Sequence, residues 1–226
     1  MKTIKKLFAL AAVLVALSPV HAQPQGMMDF SKAAKAGRER RAQVFAIMPA
    51  RVECVLFAGG SIMEDCEWKE LLGNPDILNR GIDGETMDEL VGRLPELVRH
   101  HPSKVFLEVG AADLSGVPIP VILENLKIVT DAFKKENPRV GIFILSVLPA
   151  SGKAVPFGSV TVLNDWLRSF NGHLRAFCTG QGIDFVDLYD HFAGKDGFLD
   201  PAYGSSPVKL TTTGYALLGE CLRPLL

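Results

Sequence analysis

Short apolar runs recur along this chain, separated by segments with helical periodicity. The runs are Val55 to Ala58, Ile77 to Asn79, Lys104 to Val109, Val140 to Leu148 and Ile183 to Leu188. Between them, apolar residues fall at three- and four-residue spacing: Met87, Leu90, Leu94, Leu97 and Val98; then Ile122, Leu126, Val129 and Phe133; then Leu163, Trp166, Phe170, Leu174 and Phe177. Bounded apolar runs suit strands buried on both faces, and the intervening stripes suit helices that pack on them. Such alternation predicts an α/β fold, a three-layer α/β/α sandwich with a five-stranded parallel sheet and right-handed crossovers. Ser31 to Met48, alanine-rich and charged, predicts a helix outside the sheet closed by Pro49. A short helix over Cys66 to Leu72 is stopped by Gly73-Asn74-Pro75, and a last helix over Thr212 to Leu222 follows a long loop from Tyr189 to Thr211. His100 and His101 end the Met87–Val98 helix, and cations suit a helix C-terminus, so both are expected at the surface.

The 226 residues are enough for one domain with a sizeable core. Lys2, Lys5 and Lys6 precede the apolar run Leu7 to Leu17, and Val20-His21-Ala22 supplies small residues for cleavage. That pattern reads as a secretory signal over residues 1–22, with an apolar part shorter than the ~20 residues of a membrane span. Residues 23–50 then form a leader and an N-terminal helix, and residues 51–226 the main domain. Removing residues 1–22, with their three lysines and no acid, takes the formal charge from −1 to −4. An exported, mildly acidic chain (periplasmic or secreted) with no further span has no electrostatic case for nucleic acid. Cys54, Cys66, Cys178 and Cys221 have no zinc-like spacing and read as buried thiols, their pairing left open.

The chemistry concentrates in Val52 to Asp65, VECVLFAGGSIMED. Ser61 follows an apolar strand and two glycines, at the carboxyl end where open α/β sheets bind ligands. Serine there is equally a helix cap. Glu64, Asp65 and Glu67 suit the first turn of a helix, so no metal is called for, and no cofactor.

Further motifs come in order: Asn79-Arg80-Gly81-Ile82-x-Gly84-x-Thr86, Gly110-x-x-Asp113, Leu199-Asp200-Pro201-Ala202-Tyr203 and Gly214-Tyr215. Together with Gly-x-Ser they resemble the SGNH/GDSL hydrolases, particularly the acetylhydrolase-like carbohydrate esterases, from about Val52 to the end. The resemblance implies a flavodoxin-like sheet and ester hydrolysis by a serine, with a histidine base oriented by an aspartate. It implies an oxyanion hole made by the serine N–H, a glycine N–H and an asparagine side chain.

Carried over by position, the nucleophile is Ser61 and the oxyanion glycine Gly84. The other positions depart from the pattern. Gly60 stands where the aspartate of Gly-Asp-Ser belongs, Ala112 where the oxyanion asparagine belongs, Ser206 for the triad aspartate and Lys209 for the histidine. No other histidine of the mature chain fits: His100 and His101 end a helix, His173 lies in one, and His191 precedes the base position. Loss of the base alone costs about 10⁶ in turnover, and loss of one oxyanion donor about 10²–10³. The expected function is a pseudoenzyme, a non-hydrolysing scaffold or binder of a small molecule such as an acidic or acetylated sugar. In that reading Lys209 and the N–H groups of Ser61 and Gly84 hold an anion. The alternative is an active serine esterase using Ser61, a sugar O-acetylesterase or lipase-like acylhydrolase, with Lys209 or an unrecognised group as base.

Overall fold

The computed structural model describes residues 32–152, 160–206 and 209–226; the expected signal and leader lie outside the described residues. Five strands form one parallel sheet in the order β2-β1-β3-β4-β5. They are β1 (Val55–Gly59), β2 (Ile77–Gly81), β3 (Lys104–Glu108), β4 (Gly141–Leu145) and β5 (Asp184–Val186). The helices are α1 (Lys32–Ile47), α2 (Ser61–Glu64), α3 (Trp68–Leu72), α4 (Met87–Gly92), α5 (Leu94–Val98), α6 (Ile119–Glu136), α7 (Val160–Gln181), α8 (Tyr189–Phe192) and α9 (Thr212–Leu222). A small antiparallel hairpin, β6 (Gly204–Ser206) and β7 (Lys209–Leu210), occupies part of the stretch expected to be loop.

Side chains alternate across a strand, and the alternation sorts this core into two halves. Leu56 and Ala58 of β1 join Val105, Leu107, Ile142 and Ile144 on one face, beneath Leu90, Leu126, Val129, Phe133, Phe170 and Leu174. Val55 and Phe57 join Phe106 and Leu145 on the other, with Met63, Trp68, Leu72, Phe192, Leu218 and Leu222. Phe57, Phe106 and Phe143 pack in sequence, with centroid separations of 4.8 and 4.6 Å. Both faces are covered, as a parallel sheet requires. The chain departs from β1 toward β2 on one side and β3 on the other, so the crevice beyond β1 is a topological switch point.

Two expectations need correction. The Met87–Val98 stripe is not one helix: α4 ends at Gly92, and Pro95, placed in the first turn of α5, cannot donate back to the preceding turn. His100 is not at the surface but fully buried. Its Nδ1 accepts the Arg51 N–H at 2.9 Å, and its Nε2 lies 3.1 Å from Glu96 Oε1 and 3.5 Å from Arg80 Nη2. A buried acid one turn back draws the ring inward, whereas His101 is exposed as expected. All four cysteines are free thiols, Cys54 and Cys178 buried and the other two half-buried.

The cluster around His100 also anchors α1. Arg80 Nε donates to Glu96 at 2.8 Å, and Arg93 pairs with Glu85 while donating to the Arg80 carbonyl at 2.7 Å. Phe45 of α1 lies beneath the guanidiniums of Arg80 and Arg41, at 4.6 and 4.9 Å from its ring centre. Breaking a buried pair leaves its partners uncompensated, at a cost of about 3–5 kcal/mol. Glu96→Ala strips an acceptor from both Arg80 and His100 and is expected to lose stability in that range. Urea denaturation of the variant against wild type measures it.

Candidate active site

The site begins with a backbone constraint. Gly59 pairs with Glu108 across β1 and β3. Its φ is +136°, and a Cβ there would stand 1.9 Å from the Glu108 carbonyl oxygen, so the position admits only glycine. The chain can then turn out of the strand at once. Gly60 caps α2 and Ser61 is its first residue. First-turn N–H groups have no acceptor within their helix. Among the described residues, neither the Ser61 N–H nor the Gly84 N–H donates to a protein acceptor. Gly84, with φ +71°, sits buried in the loop after β2. That loop is tied to the end of β1 by the Ile82 N–H donating to the Gly59 carbonyl at 2.8 Å.

The polar motif residues around Ser61 are engaged with backbone. Asn79 Nδ2 donates to the Met63 carbonyl at 2.8 Å and the Cys66 carbonyl at 3.1 Å, and its Oδ1 accepts the Gly81 N–H at 2.8 Å. Thr86 and Glu89 form a capping box that starts α4. Asp113 accepts the Met87 N–H on both oxygens, at 3.1 and 3.0 Å. These residues fix the walls of the crevice.

At the family's other catalytic positions the described side chains differ from the expected pattern. The Ser61 hydroxyl has no hydrogen-bond partner among the described residues. Ala112 lies buried at 9% exposure and brings no side-chain donor. Ser206 ends β6, its backbone paired with Lys209. Lys209 itself is engaged by carboxylates: Nζ donates to Asp65 Oδ2 at 2.7 Å and lies 3.5 Å from Asp83 Oδ2. Partial burial works against the ammonium, but the hydrogen bond to Asp65 and the charge of Asp83 outweigh it, so the lysine pKa moves upward. A base would need the opposite shift. The two aspartates also offset the charge that an anionic ligand would seek. Neither role expected of Lys209 fits this geometry. Among the described residues, His100 is buried in the Arg80–Glu96 cluster, and His101, His173 and His191 are exposed.

Two more groups lie near this turn: Glu108, which sequence reading missed, and Tyr215, which it read only as part of a motif. Glu108, at the end of β3, is 5% exposed, and its Oε2 accepts the Gly60 N–H at 3.1 Å. Desolvation pushes this carboxyl up to about 7, against the pull of that hydrogen bond. An acid inside an otherwise apolar strand run was the available signal, because glutamate is almost never buried without a reason. Tyr215, of the Gly-Tyr pair, packs edge-on against Trp68, and its hydroxyl is buried without a hydrogen-bond partner. Burial first, then Asp65, Cys66, Glu108 and Asp83, push the phenol upward, so it remains a hydrogen-bond donor.

The Glu108 shift has a pH consequence. An acid whose pKa rises from 4.5 unfolded to about 7 folded stabilises the fold below pH 4.5, and that contribution is lost as pH rises through about 7. At ~1.4 kcal/mol per unit the contribution is about 3 kcal/mol. Glu108→Gln removes it, so the stability difference between variant and wild type is expected to shift by about that much in the variant's favour between pH 4.5 and 8. Chemical denaturation across that range measures it.

Comparison with known proteins agrees with the architecture. The chain is 26% identical over 179 residues to platelet-activating factor acetylhydrolase IB subunit alpha1 of Bos taurus, covering 76% of this chain and 74% of the relative. A GDSL-like lipase from Bacteroides thetaiotaomicron superposes with a TM-score of 0.71 at 21% identity, over 84% of this chain and 97% of that one. A catalytic mutant of an acetylxylan esterase from Geobacillus stearothermophilus superposes with a TM-score of 0.60 at 19% identity, over 77% and 94%. These two structural likenesses show the fold. Residues 65–217 match the family described as GDSL-like Lipase/Acylhydrolase, more than half of the chain, and the protein belongs to that family.

Proposed function

We propose that this protein is a non-hydrolysing member of its family, exported by residues 1–22, that binds a small hydroxyl-rich ligand such as an acetylated sugar. The observation that carries the reading is the ion pairing of Lys209 with Asp65 and Asp83 at the position of the family's base. A serine hydroxyl is a weak nucleophile without an adjacent base. A charged lysine can only donate, and this one donates to carboxylates. The carboxylates of Asp65 and Asp83 beside Lys209 offset its charge, which supports a neutral ligand over an acidic one.

One observation favours a second reading, a working serine esterase. Glu108 puts a carboxyl with a pKa of about 7 against the residue that precedes the nucleophile, and carboxylates can serve as general bases near neutrality.

Hydrolysis of p-nitrophenyl acetate by wild type and Ser61→Ala, from pH 6 to 10, separates the readings. Equal rates in both proteins are expected. A rate that depends on Ser61 overturns the proposal. Its pH dependence then identifies the base: a midpoint near 7 points to Glu108, and a rate still rising at pH 10 points to Lys209.

A further inference from the structure

The family carries an aspartate immediately before its serine, and here that position is Gly60. Nothing in the backbone asks for glycine at residue 60. Its φ of −80° and ψ of −150° are extended values that any residue adopts. What glycine provides is space: a Cβ at residue 60 would meet one atom within 4 Å, Glu108 Oε2, at 3.2 Å. The same oxygen accepts the Gly60 N–H at 3.1 Å, and β1 and β3 are registered so that Gly59 faces Glu108. Glu108 is buried, and among the described residues this N–H is the one hydrogen-bond donor given to its carboxylate.

We infer that Glu108 stands in for the aspartate of Gly-Asp-Ser: the carboxylate beneath the nucleophile turn has moved from residue 60 to the end of the neighbouring strand, and glycine at 60 makes room for it. Glu108 is then a positioning residue. It holds the peptide that opens α2 and so sets where Ser61 stands. The two arrangements exclude each other, because an aspartate at 60 would press a second carboxylate on Glu108 in a buried space. This holds whether or not Ser61 turns over an ester, and its test reads folding alone.

The test is relocation. Thermal unfolding at pH 7.5 compares wild type with G60D, E108L, the double variant G60D/E108L, and G60L/E108L as a control that fills the space without charge. Each of G60D and E108L is expected to lower the melting temperature by roughly 5–10 °C, the scale of a loss at a buried polar site in a domain of this size. The double variant is expected to recover at least half of the E108L loss, and the control to recover none. If E108L does not fold, recovery of folded protein by G60D/E108L supports the relocation. The inference is overturned if either G60D or E108L alone melts at or above wild type, if the double variant is no better than the worse single one, if the control recovers as well, or if neither E108L nor the double variant folds.

Discussion

The site depends on the close approach of β1 and β3 at Gly59, where a Cβ would overlap the Glu108 carbonyl oxygen. Strands that close leave one route for the chain, an immediate turn into α2 at the switch point of the sheet. That turn sets Ser61 at the start of a helix, where neither its N–H nor that of Gly84 donates to an acceptor among the described residues. The loop after β2 is bound to the same turn through Ile82 and, further back, through Asn79. A covered parallel sheet therefore supplies the nucleophile position and its backbone donors before any catalytic side chain is specified.

Fold and chemistry rest on different groups here. Asn79, Thr86 and Asp113 bond to backbone, so they serve the architecture whether or not a substrate is turned over. Four positions depart from the family pattern, Gly60, Ala112, Ser206 and Lys209, and of these Lys209 pairs with Asp65 and Asp83. Membership of the family follows from the first set. Activity would have to come from the second.

The layers and the sheet were legible because their signals are local: short apolar runs and period-3.6 stripes each fall within one element. The break at Pro95 was present in the sequence too, but an unbroken apolar stripe from Met87 to Val98 obscured it. His100 was not legible, because its partners Arg51 and Arg80 are 49 and 20 residues away and its acid, Glu96, reads as an ordinary exposed helix residue. Ser61 and Gly84 could be placed from motif spacing, while the state of Lys209 could not. Its hydrogen-bonding acid is 144 residues earlier in the chain, and only the folded hairpin brings the two together.

That hairpin also carries charge across the chain. Lys209 joins the C-terminal segment to the end of α2 and to the loop after β2 through Asp65 and Asp83. A histidine at 209 would leave those two aspartates facing a weaker cation at neutral pH. Residue 209 therefore answers to the closure of the C-terminal segment as well as to any ligand, and a change in its chemistry is also a change in how that segment is held.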